Sequence, residues 1–151
     1  MLIVRRFQPS DMFKVIKLAS TLLTEQYSPT LFTYFYETAP WGMWVCEENH
    51  TIIGFAIGIE HTSIIGRIVM IATLPQKRRL GIGSTLLTRL LNQFSQRNLY
   101  TIELEVKTTN LPAILFYKKH HFDIIEIFPH FYQNGEDAYL MKMIVSPHTY
   151  D

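Results

Sequence analysis

The stretch Arg78-Arg79-Leu80-Gly81-Ile82-Gly83 decides how this chain of 151 residues folds. An apolar run over 67–74, typical of a strand, precedes it, and an amphipathic run over 84–94, typical of a helix, follows it. At such a turn the first helical N–H groups have no partner, and the helix dipole favours an anion. Glycine lets a phosphate approach the backbone closely. The stretch predicts a phosphate site flanked by two arginines, and a plain glycine turn is the alternative.

The spacing of the glycines excludes two nucleotide sites, because neither G-x-G-x-x-G nor G-x-x-x-x-G-K-S/T occurs. It resembles instead the Q/R-x-x-G-x-G/A signature of the GNAT acetyltransferases, which holds the pyrophosphate of acetyl-CoA. The resemblance implies acetyl-CoA as cosubstrate. The expected contacts lie on the fourth strand and the turn: Ile71, Ala72, Thr73, Arg78, Arg79, Gly81, Ile82, Gly83 and Ser84.

The rest of the sequence alternates between strand and helix patterns. Strands are predicted over 2–6, 43–47, 51–61, 67–74, 101–107, 122–128 and 138–145. Helices are predicted over 11–23, 30–37 and 111–120, with another beginning after residue 83. Ser10 or Asp11 is expected to cap the first helix. The strand–helix–strand order over 67–107 predicts two parallel strands joined by a right-handed crossover.

This order of elements resembles the GNAT layout over nearly the whole chain. The resemblance implies one mixed α/β domain at 1–145 and a loose tail at 146–151. It also implies a mixed seven-stranded sheet flanked by four helices. In that layout the fourth and fifth strands are parallel but splay apart, and the gap receives the pantetheine arm of the cofactor.

Residues 104–117 read LEVKTTNLPAILFY. They resemble the L-E-V-R-x-x-N-x-x-A-x-x-L-Y stretch of RimI-type N-terminal acetyltransferases, a GNAT subgroup. The resemblance implies that Glu105 is the general base and that Asn110 contacts the cofactor. It also implies that Tyr117 lies at the cofactor and donates a proton to the departing thiolate. Lys107 departs from the pattern by replacing arginine.

The residues themselves are compatible with these roles. Glu103 and Glu105 share one face of the predicted strand. Partial burial there would raise the pKa of either carboxyl toward that of a useful base. The alternatives are a solvated strand face for Glu105 and a core position with a hydrogen-bonded hydroxyl for Tyr117. Helix capping by Asn110 is expected in any case.

Two further segments point to a peptide site. Residues 22–27 read LLTEQY and resemble the L-P-E-N-Y segment of the catalytic subunit of the major eukaryotic and archaeal N-terminal acetyltransferase. Residues 131–141 read FYQNGEDAYLM and resemble its Y-Y-x-x-G-E-D-A-x-x-M ending. The resemblance implies substrate contacts by Glu25, Tyr27, Phe131 and Tyr132. An exposed helix-end acid is the alternative for Glu25.

Composition limits the other functions. The net charge of +1 argues against broad binding of nucleic acid. The single cysteine, Cys46, lies in an apolar run and reads as a small buried hydrophobe. The six histidines show no metal-ligand spacing, so no metal is expected. We expect no membrane segment, because no apolar stretch of about 18 residues occurs. A strand-like start argues against a secretory signal, and a cytoplasmic protein is predicted.

The predicted function is acetyl transfer from acetyl-CoA to the α-amine of a polypeptide, by direct attack of the amine. An α-amine has an ordinary pKa of about 7.7–8.0, against about 10.4 for lysine, so it needs a weaker base. A GNAT enzyme acting on lysine or on a small-molecule amine is one alternative. A CoA-binding domain without activity is the other. The sequence leaves the oligomeric state open.

Overall fold

The computed structural model describes residues 1–23, 25 and 27–145. These residues form seven strands: β1 Leu2–Arg6, β2 Met43–Glu48, β3 Thr51–Glu60, β4 Ile65–Thr73, β5 Thr101–Lys107, β6 Asp123–Phe128 and β7 Ala138–Ile144. They also form four α-helices: α1 Met12–Leu22, α2 Pro29–Thr38, α3 Ile82–Gln96 and α4 Leu111–Lys119. The predicted number and order of elements are confirmed. The predicted tail at 146–151 lies outside the described residues.

The strands form a single sheet in the order β1-β2-β3-β4-β5-β7-β6. Neighbouring strands are antiparallel except β4 and β5, which are parallel. Pairing between β4 and β5 begins at Ile65 with Thr101 and stops at Arg67 with Glu103, although both strands continue. The two strands therefore part along the rest of their length, and the predicted splay is confirmed.

A β-bulge in β4 begins where this pairing stops. Ile57 of β3 pairs with Met70, but its neighbour Gly58 pairs with Ile68, so Val69 is the extra residue. A bulge bends its strand and adds local twist. The bend follows directly after the last residue paired to β5, so it accounts for the departure of β4 from β5.

Two apolar clusters pack on opposite faces of the sheet. The first packs around α3, whose Leu86, Leu87, Leu90, Leu91 and Phe94 are almost completely buried. This is the apolar face predicted from the leucine spacing. Burial of each leucine contributes roughly 1.5–3 kcal/mol. The second cluster packs α1 and α2 against the other face of β2, β3 and β4, and it includes Val15, Phe32, Val45, Phe55 and Met70.

The start of α1 differs from the expected cap. Asp11 occupies the position before the helix, but its side chain makes no capping hydrogen bond to the helix. A short 3-10 turn over Pro9–Asp11 already gives Asp11 helical dihedral angles, which carry its carboxylate away from the first helical N–H groups. That carboxylate accepts hydrogen bonds from Arg5, at 2.8 and 3.0 Å, and from the Gln8 N–H. Burial opposes ionisation, but these donors hold the pKa of Asp11 below its usual range.

Two other features were expected from the composition. Cys46 is fully buried in β2, as predicted, and burial raises the pKa of its thiol. Within the described ranges, no helix combines the length and apolar character needed to cross a bilayer.

Candidate active site

A cleft of about 190 Å³ opens where β4 and β5 part. Its walls come from the end of α1 and the segment after it, the β4 bulge, the second half of β5, α4 and the loop before β7. The predicted site residues that line it together are Glu25, Tyr27, Ile71, Glu105, Asn110, Tyr117 and Tyr132. Segments up to about 100 residues apart in sequence thus meet in one cavity.

Glu105 projects from β5 into this cleft, and its side chain is only 8% exposed. It forms an ion pair with Arg67 of β4. Burial raises the pKa of Glu105, and although Arg67 and His61 oppose this effect, the net shift is upward. A buried carboxyl with a raised pKa is suited to proton abstraction near neutral pH. The alternative of a solvated strand face is therefore wrong for Glu105.

Arg67 was not singled out in the sequence. The signal available was a lone cation in the apolar strand 65–73, whose side chain would need a partner on burial. The sequence could not name that partner, because strand register decides that Arg67 lies beside Glu103 and within reach of Glu105.

Tyr117 lies on α4 and is 8% exposed. Its ring packs edge-on against Phe116 and Phe122, with centroids 5.2 and 5.5 Å away. Its hydroxyl makes no hydrogen bond within the described part of the chain. Burial raises the pKa of Tyr117, so the hydroxyl stays protonated at neutral pH. Tyr117 therefore belongs to the core through its ring and offers an uncommitted donor to the cleft.

A charged cluster, which we call the mouth, lies at the edge of the cleft and consists of Glu25, Lys107, Tyr132 and Glu136. The Lys107 Nζ lies 3.3 Å from Glu25 and 3.2 Å from Glu136. It also lies 5.2 Å from the centre of the Tyr132 ring. Lys107 thus ties the segment after α1 to the loop before β7. Lys107 belongs to the quoted segment 104–117 and Glu136 to the quoted segment 131–141, but no role was predicted for either.

The two tyrosines of the predicted peptide site differ little in their surroundings. Burial raises the pKa of Tyr27 to about 12, and Glu25 adds to this effect. Burial and Glu25 likewise raise the pKa of Tyr132. Both hydroxyls are therefore neutral at physiological pH. Phe131, by contrast, is 44% exposed, stacks on Phe128 at 5.9 Å and does not line the cleft.

The phosphate turn, residues 78–83, lies at the start of α3. Gly81 has a φ of +79°, in the left-handed region that favours glycine, and nothing would contact a Cβ built there. The helical ladder starts with the Thr85 N–H bonded to the Gly81 carbonyl, so the N–H groups of Ile82, Gly83 and Ser84 precede it. The Ile82 side chain is buried in the cluster around α3 and anchors the turn to the core. Unpaired N–H groups at the start of a helix favour binding of an anion such as a phosphate.

The cations around the turn divide into two kinds. Arg78 and Arg79 are exposed and form no ion pair with any described residue. Lys77 instead forms a 2.6 Å ion pair with Glu48 at the end of β2. The two arginines are therefore the cations left for a bound phosphate.

The end of α4 braces the start of α3. A Cβ at Gly83 would lie 3.3 Å from the Phe116 ring, so this glycine also serves helix packing. The Ser84 Oγ is hydrogen-bonded to His120 Nε2 at 2.9 Å, and the His120 ring packs on Phe116 at 4.8 Å. Burial lowers the pKa of His120. No sequence signal linked His120 to the turn, because 36 residues separate it from Ser84.

The remaining predicted cofactor residues occupy different surroundings. Ile71 lines the cleft, whereas Ala72 is buried against the α1–α2 cluster and Thr73 pairs with Gly54 of β3. Asn110 caps α4 by accepting a hydrogen bond from the Ala113 N–H at 3.3 Å, and it also lines the cleft.

Comparison with known proteins agrees with this geometry. Residues 12–122 match the acetyltransferase (GNAT) family. The chain belongs to the GNAT acetyltransferases. This GNAT protein is 31% identical over 150 residues to an N-alpha-acetyltransferase of Sulfurisphaera tokodaii, covering 91% of this chain and 90% of that one. It is 31% identical over 144 residues to an N-alpha-acetyltransferase of Sulfolobus acidocaldarius, covering 87% and 86%.

The fold match is equally extensive. The crystal structure of Ard1 from Thermoplasma volcanium superposes with a TM-score of 0.91 at 33% identity, covering 96% of this GNAT chain and 98% of that one. The predicted family, fold and enzyme class are therefore confirmed. Among residues 1–23, 25 and 27–145, no three His, Cys, Asp or Glu side chains are placed to hold a metal ion.

Proposed function

We propose that this protein transfers the acetyl group of acetyl-CoA to the α-amine of polypeptide chains in the cytoplasm. One observation carries the proposal: Glu105 and Tyr117 line a single cleft together with Glu25, Lys107 and Tyr132 of the mouth. The similarity to N-alpha-acetyltransferases over about nine-tenths of the chain supports the same substrate class.

The phosphate turn and the gap between the strands together suit acetyl-CoA. The N–H groups of residues 82–84 and the exposed Arg78 and Arg79 would hold the pyrophosphate. The parted strands would receive the pantetheine arm, which leads to Glu105 and Tyr117 in the cleft. Acetyl-CoA supplies the activated thioester, and the protein supplies position, a base and a proton donor.

Glu105 would take a proton from the attacking amine. Deprotonating an α-amine rather than a lysine at neutral pH saves about 3.5 kcal/mol, because the ordinary pKa values differ by about 2.5 units. A carboxyl whose pKa is raised by burial is therefore sufficient for an α-amine. Tyr117, which burial keeps protonated, would donate to the departing thiolate.

The mouth favours a chain terminus as the substrate. Lys107 draws Glu25 and Glu136 together beside Tyr132, which narrows access to the reacting groups. A terminal amine on a flexible chain can enter such an opening, whereas a lysine on a folded surface brings its neighbouring backbone with it. The substrate is therefore an exposed N-terminus.

The test compares two peptides of the same sequence, each with an internal lysine, of which only one has a free N-terminus. Both are incubated with acetyl-CoA, and tandem mass spectrometry locates the acetyl group. We expect the free peptide to be acetylated on its α-amine and the blocked peptide to remain unmodified. Acetylation mainly on lysine would overturn the N-terminal substrate class. Binding of acetyl-CoA without transfer to any amine would indicate a non-catalytic domain.

A further inference from the structure

The ion pair between Arg67 and Glu105 has a defined geometry. Arg67 is the last residue of β4 that pairs with β5, just before the strands part. Its Nη2 donates to Oε1 of Glu105. No described residue donates a hydrogen bond to the other carboxylate oxygen, Oε2. One oxygen of Glu105 is thus anchored to the neighbouring strand, and the other is uncommitted at the cleft.

We propose that Arg67 is a positioning residue, which holds Glu105 by one oxygen so that the other accepts the proton of the amine. The inference rests on the proposed function, in which Glu105 is the base. Glutamate has three rotatable side-chain bonds, so an unanchored carboxylate at a widening gap would sample several orientations. A single anchor on one oxygen removes that freedom without blocking the reacting oxygen.

Arg67 also opposes the effect of burial on the charge of Glu105. Other ionisable groups face Glu105 from each packed element: His61 before β4, Glu103 and Lys107 on β5, Lys142 on β7, Tyr27 after α1 and Tyr132 before β7. Of these, Lys107 is held by Glu25 and Glu136, and Lys142 lies opposite Glu103. Arg67 is the one described cation that is hydrogen-bonded to Glu105.

The sign of the effect follows from this arrangement. Burial favours the protonated form of Glu105, and the guanidinium favours the ionised form. Removal of Arg67 therefore raises the pKa of Glu105 further. The base would then be ionised only at higher pH, and the acid limb of the rate profile would move upward.

The experiment compares Arg67→Met and Arg67→Lys with the unchanged protein, using kcat/KM against pH and acetyl-CoA affinity by calorimetry. For Arg67→Met we expect kcat to fall by about tenfold or more. We expect the acid limb to move to higher pH and the acetyl-CoA affinity to stay unchanged. In Arg67→Lys the positive charge remains, so the acid limb should lie at the same pH as in the unchanged protein. The kcat of Arg67→Lys should lie between those of Arg67→Met and the unchanged protein. Lys142→Gln, which removes a cation on the same face, is the matched control.

A second measurement needs no turnover. The ¹³C NMR signal of the Glu105 carboxyl, titrated in the free protein, should shift its midpoint upward in Arg67→Met and not in Lys142→Gln. If Arg67→Met changed neither the acid limb of the rate profile nor the NMR midpoint of Glu105, the role of Arg67 would be overturned. The role would also be overturned if Arg67→Met lowered kcat as much in the Glu105→Gln variant as in the unchanged protein. A residue that acts only through Glu105 has no further effect once Glu105 has been replaced.

These outcomes separate the inference from the proposed function. If Glu105→Gln keeps both its turnover and its acid limb, another group is the base and the assignment of Glu105 fails. The NMR midpoint still reports whether Arg67 controls the charge of Glu105. If Glu105→Gln removes the limb but Arg67→Met leaves it in place, only the inference fails.

Discussion

The phosphate turn and the mouth are built in opposite ways. The turn is six consecutive residues, and the proposed phosphate donors are backbone N–H groups at its end, where α3 begins. The mouth joins side chains from three segments, and Lys107 links Glu25 to Glu136, 111 positions further along the chain. A site built from consecutive backbone groups can be recognised as a sequence motif. A site built from ion pairs between residues far apart in sequence becomes apparent only in the folded structure.

This difference predicts a division of labour. The turn should control the affinity for acetyl-CoA, the mouth should control the KM for the peptide, and Glu105 and Tyr117, which lie between them, should control kcat. Each variant below tests whether one region changes its own constant alone.

The largest effect is expected for Glu105→Gln. Loss of the base should lower kcat by roughly 10²–10⁴-fold. The affinity for acetyl-CoA should change little, because Glu105 anchors no part of the cofactor. Steady-state kinetics between about pH 6 and pH 9, with calorimetry for the cofactor, measure both. Full turnover across that range would contradict the role of Glu105, and Glu103→Gln, on the same strand face, is the comparison variant.

Tyr117→Phe should lower kcat by roughly 10²-fold or more through loss of the proton donor. The fold should be unaffected, because the ring is kept and the hydroxyl bonds to no described residue. Thermal unfolding and single-turnover rates separate the two effects. Tyr100→Phe, which loses a 3.0 Å surface hydrogen bond to Asn98, is the control. Unchanged single-turnover rates would assign Tyr117 to the core alone.

Replacing Arg78 and Arg79 together by glutamine should weaken acetyl-CoA binding by about tenfold, or about 1.4 kcal/mol. The loss should shrink at high salt, since exposed charges are screened. Lys77→Gln is the control, because Lys77 is held by Glu48. Gly83→Val suits the test less well, since its side chain would also meet Phe116. Equal losses in the control and the double variant would show a general charge effect.

Tyr132→Ala should raise the peptide KM about fivefold to tenfold, the loss of roughly 1 kcal/mol of contact, with the acetyl-CoA affinity preserved. Phe131→Ala should have a smaller effect, because Phe131 lies outside the cleft. Peptide titrations at saturating acetyl-CoA measure the pair. A larger increase of the peptide KM in Phe131→Ala than in Tyr132→Ala would mean that the peptide crosses the outer face of the loop before β7.

The smallest effect concerns stability. Because the pKa of Glu105 is raised in the folded state, the unfolded chain releases its proton first as pH rises above about 4.3. Stability then falls with rising pH until the folded pKa is passed. Glu105→Gln should lack this decline, so the difference between its thermal midpoint and that of the unchanged protein should shift in favour of the variant as pH rises above about 4.3. A constant difference would contradict the raised pKa.

Sequence patterns predicted the strands best where alternation was undisturbed. The ranges 2–6 and 101–107 match β1 and β5 residue for residue. The start of β4 was placed two residues late because Gly66 is atypical of a strand interior. The structure explains this glycine: a Cβ there would lie 2.6 Å from the Phe94 ring. That close approach depends on α3 packing, which local pattern cannot show.

The site residues divide in the same way. Glu105, Asn110 and Tyr117 could be predicted because one quoted motif carries all three, and the structure places all three at one cleft. Arg67 and His120 could not, since strand register brings the first to Glu105 and helix packing brings the second to Ser84. Their roles in acetyl transfer remain predictions for the experiments above.

The extra residue in β4 has a consequence for any attempt to redesign or shorten this strand. Val69 and Met70 are adjacent in sequence, yet both pack on the α1–α2 side, while Ile68 and Ile71 pack on the α3 side. The strand therefore changes phase at that point. Deleting Val69 would restore regular alternation and leave the later side chains of β4 on their present faces, but it would remove the bulge that bends β4 away from β5. One codon thus decides whether β4 parts from β5 and leaves room for a cleft, and homologous segments grafted here must keep the same length.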